Sequence, residues 1–70
     1  MEWTHNGKTR KEWAALIRKQ RRSLDITQQE LAVIVGVSTA CIAHTETNRM
    51  FPNMELFEKI LLALKISEDV

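Results

Sequence analysis

The sequence predicts an all-α fold of four to five short helices, and three observations carry that expectation. Glycine and proline are scarce, with two and one respectively, and no repeat or low-complexity stretch interrupts the chain, so it reads as short helices joined by tight turns. Side chains able to accept a hydrogen bond at a helix start recur just ahead of segments whose apolar residues fall three and four apart. Hydrophobic residues make up 44% of the 70 positions and charged ones 27%, a balance ordinary for a folded chain, and 70 residues are expected to form one domain with one core.

Each element has a start and a stop signal. Thr9 followed by Glu12 matches a capping box, in which the threonine accepts from the backbone N–H three residues on and the glutamate reaches back. Trp13, Leu16, Ile17 and Leu24 then follow at helical spacing, with Arg18, Lys19, Arg21 and Arg22 between them, and the helix should stop near Ser23 to Asp25. Thr27 with Glu30 repeats the box, and Leu31, Ala32 and Val35 share one face of a helix of barely two turns that ends at Gly36, a residue free to take positive φ. Ser38 caps a third helix running to about Glu46, with Ile42 turned to the core, and Asn48 substitutes for glycine at its left-handed end. Pro52 and Asn53 mark a loop and a fourth cap, after which Leu56, Phe57, Ile60, Leu61 and Leu64 form a strongly apolar face. Ser67 is placed to cap one last turn of Glu68, Asp69 and Val70. Residues 1–8 form an N-terminal extension to a domain over 9–70. Trp3, His5 and Asn6 in that extension show no pattern that assigns a role, and the segment is either flexible or a cover for apolar surface.

A net charge of +1 conceals an uneven distribution. Up to residue 22 there are seven basic groups (Lys8, Arg10, Lys11, Arg18, Lys19, Arg21, Arg22) against Glu2 and Glu12, while the remainder carries Arg49, Lys59 and Lys65 against seven acids. Attraction for phosphate therefore rests largely on the first helix, unless that face is simply solvated. Cys41 stands alone, which excludes an internal disulfide and suits a reducing cytoplasm. No apolar run approaches the ~20 residues of a membrane span and no signal peptide is evident, so a soluble cytoplasmic protein without a membrane role is expected. The two histidines, one cysteine and scattered carboxylates form no metal-ligand or nucleophile–base pattern, so no enzyme, metal or cofactor is expected.

Two short helices joined by a glycine-containing turn, each opened by a hydroxyl cap, are the geometry that lays a recognition helix in the DNA major groove, although ordinary helical bundles share that spacing. The segment Ile26-Thr27-Gln28-Gln29-Glu30-Leu31-Ala32, then Val35-Gly36-Val37-Ser38, Ile42 and Glu46, and later Pro52 with Leu56 to Leu64, resembles the phage-repressor and Cro-like (XRE-type) helix-turn-helix family over about residues 13–67. The resemblance implies a lambda-repressor-like fold and a transcriptional regulator, a repressor, that binds double-stranded DNA. It also implies roles at matching positions. Gln28 corresponds to a glutamine that bonds a DNA phosphate and braces the recognition helix. Arg21 and Glu46 fall where an ion pair joins the first helix to the end of the third.

Base contacts are expected from Thr39, Ala40, Ala43 and His44. Thr39 offers a hydroxyl and a methyl, the alanines only apolar contact, and His44 a donor or an acceptor unless it is merely a surface histidine. The set lacks Arg, Lys, Gln and Asn, the bidentate readers, so DNA shape should carry part of the specificity. Phosphate contacts are assigned to Gln28, Ser38, Asn48 and Arg49, with Arg18 or Lys19 from the first helix.

The chain departs from the family pattern at several positions. Asp25 and Asn48 stand where glycine is usual, Thr47 where asparagine is common, and Thr45 where a large apolar side chain packs, a change expected to loosen the recognition helix. Val33, Ile34 and Leu62 are apolar where the family is exposed and polar, and with Met50 and Phe51 they are candidates for a protein-binding surface. The short C-terminus leaves little of the family's fifth helix and its dimer contacts, yet a homodimer is expected because symmetric operators are read by dimers. The rival expectation is an antitoxin or adaptor, similar to small helix-turn-helix antitoxins, whose main partner is a toxin or another protein.

Overall fold

The computed structural model describes residues 3–67, and the proposed last turn at 68–70 lies outside them. Along the chain run β1 (Thr4–His5), β2 (Lys8–Thr9), α1 (Arg10–Ser23), α2 (Gln28–Val35), α3 (Thr39–Glu46) and α4 (Met54–Ala63).

All four helices start where a side chain satisfies an otherwise orphaned backbone N–H. The two capping boxes are complete. Glu12 N donates to Thr9 Oγ1 at 3.2 Å and Thr9 N to Glu12 Oε1 at 2.9 Å, and the same pair of bonds joins Glu30 and Thr27 at 3.0 and 2.9 Å. Ser38 Oγ accepts from Cys41 N at 3.1 Å and Asn53 Oδ1 from Leu56 N at 2.9 Å.

The four helices also end alike. After each, one residue takes positive φ: Asp25 (60°), Gly36 (78°), Asn48 (59°) and Lys65 (58°). The next residue's N–H then reaches the carbonyl five positions back, as Ile26 to Arg21, Val37 to Ala32, Arg49 to His44 and Ile66 to Leu61, all between 2.9 and 3.1 Å. This is the Schellman closure, which satisfies the last helical carbonyls and reverses the chain at once.

The apolar faces meet in one core of Trp13, Ile17, Leu31, Ala32, Val35, Ile42, Phe57, Ile60, Leu61 and Leu64. Leu16, Leu24 and Leu56 are only partly buried at its edge. Gln20 Nε2 donates to Leu64 O at 3.1 Å, fastening α1 to the end of α4.

Of the two alternatives for the N-terminal extension, the described residues 3–8 adopt the covering arrangement. β1 and β2 pair antiparallel, Thr4 opposite Thr9 and His5 opposite Lys8, around Asn6 and Gly7, both at positive φ as a tight two-residue hairpin turn requires. The hairpin closes an aromatic cluster: the Trp3 ring lies 5.1 Å from Phe51 and edge-on to Phe57 at 6.3 Å, and Trp13 Nε1 donates to His5 O at 2.9 Å. Phe51 is therefore half-buried beneath Trp3 and not part of an exposed patch. Val33, Ile34, Met50 and Leu62 are exposed. Thr45 lies on the inner side of α3. It is buried in the core side, and its hydroxyl donates to Cys41 O at 2.8 Å, which removes the penalty of an unpaired polar group.

Candidate nucleic-acid interface

The site is built on α2, the turn at Gly36 and α3. Ile42, Thr45 and Glu46 are the buried residues of α3. At about 100° per residue the opposite face is centred on Ala40 and His44, with Ala43 beside them and Thr47 continuing the row past the last turn. Thr39 and Ala40 are exposed, while Ala43 and His44 are half-buried. Thr47, which sequence reasoning did not assign to this face, is exposed, and its hydroxyl is turned onto the carbonyls of Ala43 and His44 at 3.0 and 3.3 Å.

What fixes α3 is a buried polar network. Arg21 Nε and Nη2 donate to Glu46 Oε2 and Oε1 at 2.6 and 3.0 Å, and Arg21 Nη1 donates to Ile26 O at 2.7 Å. Gln28 Nε2 adds a bond to Glu46 Oε1 at 3.3 Å. One carboxylate at the end of α3 is thereby tied to α1 and to the first residue of α2. A bidentate arginine fork holds orientation as well as distance. Gln28 thus reaches from the start of α2 to the last residue of α3. The network also withdraws Arg21 from any role toward phosphate, since its charge is compensated by Glu46.

The remaining basic groups of α1 divide by helical periodicity. Lys11, Arg18 and Arg22 form one row along the helix and Lys19 lies off it, a distinction that charge counting does not make. Arg18, Lys19 and Arg49 are exposed, and Ser38, also exposed, has its hydroxyl engaged as the α3 cap. Asn48 comes to lie beside Trp3, Arg10 and Lys11, which line a common hollow. Arg10 and Lys11 were not among the sequence-derived phosphate candidates; their only signal was the excess of basic groups up to residue 22. Among the described residues no group of three or more His, Cys, Asp or Glu side chains is arranged to hold a metal ion.

The helix-turn-helix family profile matches residues 17–70, most of the chain and the whole of this unit. The protein belongs to the helix-turn-helix family, of the Cro/C1 repressor type. An uncharacterized HTH-type transcriptional regulator of Methanothermobacter thermautotrophicus (strain Delta H) is 43% identical to this helix-turn-helix protein over 49 residues, 70% of this chain and 71% of the relative. Among solved structures, the P22 c2 repressor protein, in complex with synthetic operator 9T in the presence of Tl+, is 35% identical with a TM-score of 0.76 over 81% of this chain and 86% of that one. The clp gene regulator ClgR from C. glutamicum is 29% identical with a TM-score of 0.77 over 84% and 77%.

Proposed function

We infer that this helix-turn-helix protein is a DNA-binding transcriptional regulator, a repressor, that lays α3 in the major groove. The observation that carries the reading is the bracing of α3. Its inner face is locked by Glu46 to Arg21 and Gln28, while Thr39 and Ala40 are exposed and Ala43 and His44 half-buried among the described residues. Ala40, Ala43 and His44 read base edges from the outer face, and Thr39 does so from the exposed first turn of α3. Gln28, Ser38, Asn48 and Arg49, with Arg18 or Lys19, contact phosphates and set register. The kinship with a repressor crystallised on its operator supports the same use of the fold here. The protein acts in the cytoplasm as a homodimer on a two-fold-symmetric site, because one short recognition helix buries too little surface for high specificity. Among the described residues no helix is long and apolar enough to cross a membrane.

A second reading, an antitoxin or adaptor that binds a toxin or other protein, is favoured by one feature. Val33 and Ile34 are 75% and 59% exposed and, with Gln29 and Glu30, border a shallow hollow of about 380 Å³.

Selection of bound sequences from a random duplex library, with the affinity of the winners followed against salt, tests the first reading. Enrichment of a two-fold-symmetric site with a steep salt dependence is expected. Absence of enrichment overturns groove reading and leaves the protein-partner function.

A further inference from the structure

We propose that Arg10, Lys11 and Asn48 form a binding site for a DNA backbone phosphate, organised by the N-terminal hairpin and lying just past the end of the recognition helix. The proposal rests on the DNA-binding reading and extends its footprint to a part of the chain outside the helix-turn-helix unit. The three residues and Trp3 line a hollow of about 330 Å³. Its lining carries two positive charges and an amide, and no acid. The nearest acid in sequence, Glu12, is turned away onto the Thr9 backbone N–H by the capping box. Neither Arg10 nor Lys11 is in an ion pair with a described residue.

Arg10 is also held in place. Its guanidinium carbon lies 5.4 Å from the Trp3 ring centre and 6.0 Å from that of Phe51, and those two rings pack against each other at 5.1 Å. An arginine stacked on aromatic faces keeps its N–H edge available, and that edge matches the geometry of phosphate oxygens. Arg10 and Lys11 are the first two residues of α1, so the positive end of the helix dipole reinforces their charge.

The link to α3 is short. Asn48 lies two residues past Glu46 in the left-handed conformation, and the bond from Arg49 N to His44 O at 2.9 Å fixes it to the last turn of α3. A phosphate seated between Asn48 and Arg10 would thus fix the depth and tilt of α3 in the groove. Such positioning matters more here because α3 offers no bidentate base reader. The hairpin supplies the site by placing Trp3 under Arg10.

The test compares the wild-type protein with Arg10→Gln and Lys11→Gln on the selected duplex, on a random duplex and on selected duplexes in which single phosphates are replaced by uncharged methylphosphonates. Each variant is expected to lose affinity for both natural duplexes by the same factor, on the order of 3- to 10-fold at low salt, with the slope of log K against log salt reduced by about one. One methylphosphonate position in each half-site should weaken the wild type and leave Arg10→Gln unaffected. Because that change is made in the DNA, a folding defect in the variant cannot produce it. Unchanged affinity and slope in both variants, or equal weakening of wild type and variant at every methylphosphonate, overturns this site and leaves the regulator reading standing. A wild-type protein that binds no duplex at all overturns that reading, and the site with it.

Discussion

Arg21 and Glu46, 25 positions apart, face each other through two parallel hydrogen bonds of 2.6 and 3.0 Å, and the Glu46 side chain is fully shielded from solvent. The pair holds the last turn of α3 against α1, and removing one member strands the other as a buried charge. Glu46→Ala should destabilise the fold by about 3 to 5 kcal/mol. That is a large part of the total for a domain of this size, at roughly 0.05–0.15 kcal/mol per residue. The double variant Arg21→Met/Glu46→Leu should be less damaged than Glu46→Ala, because it leaves no uncompensated charge. Urea unfolding of the single and double variants decides the matter, and a Glu46→Ala protein within about 1 kcal/mol of wild type would show that the pair does not hold α3.

The shared helix ending gives a second prediction. Three of the four left-handed positions are filled by Asp25, Asn48 and Gly36, residue types that tolerate positive φ, but the fourth is Lys65 at φ 58°. A side chain with a full Cβ there costs about 1–2 kcal/mol, and glycine recovers that strain less the ~0.4–1 kcal/mol of extra freedom it gains when unfolded. Lys65→Gly should therefore stabilise by up to about 1.5 kcal/mol and raise the melting temperature by a few degrees. Gly36→Ala, at φ 78°, should move it the other way although the Cβ meets nothing within 4 Å, because the strain lies in the backbone. A lower melting temperature for Lys65→Gly would refute the strain argument.

Acid sensitivity follows from the capping boxes. Hydrogen bonds to Thr9 and Thr27, the backbone N–H first and the side chain second, hold the Glu12 and Glu30 carboxyls below the ordinary value of 4.5 against desolvation by burial. A carboxyl depressed on folding adds stability that is fully present above its unfolded pKa and is lost as pH falls through its folded one. Stability should therefore decline from about pH 4.5 downward. The double variant Glu12→Gln/Glu30→Gln, whose amides can still accept the same backbone bonds, should show a shallower decline. Chemical denaturation across that window is the measurement, and parallel curves for the two proteins would remove the boxes as its source.

Much of the fold was legible because its signals are local. A cap is read from Thr9 and Glu12, Thr27 and Glu30, Ser38 or Asn53, residues within three positions of the N–H they satisfy, and the structure has all four. The hairpin escaped because strands of two residues have no periodicity to read, and its only signal was the dipeptide Asn6-Gly7. In the candidate site, the Arg21–Glu46 pairing was legible through family resemblance alone; nothing in a sequence ties positions 25 apart. The approach of Arg10 and Lys11 to Asn48 was hidden for the same reason, since it depends on how the turn after α3 crosses the start of α1. The exposure of Val33, Ile34 and Leu62 was anticipated from the pattern, whereas the burial of Phe51 under Trp3 required the hairpin.

The proposed division of labour between base reading and phosphate anchoring can be tested at His44 and Arg49. His44 lies on the outer face of α3, where its imidazole can donate to or accept from a base edge, so His44→Ala should alter which sequences are preferred. The expected discrimination is about 1–3 kcal/mol at the base it reads, with little change in salt slope. Arg49 is exposed in the turn after α3, and Arg49→Ala should weaken binding by a similar factor on every duplex while lowering the salt slope by about one. Competition binding of each variant against the selected site, its single-base variants and random duplex, repeated at several salt concentrations, measures both quantities. A His44→Ala protein that weakens equally on every DNA would take the imidazole out of base reading, and an unchanged slope for Arg49→Ala would make its guanidinium a solvated loop cation. If His44 fails while Arg49 holds, specificity must come from Thr39, the two alanines and the shape of the operator, since α3 has no other polar side chain on that face with its hydroxyl or amide uncommitted.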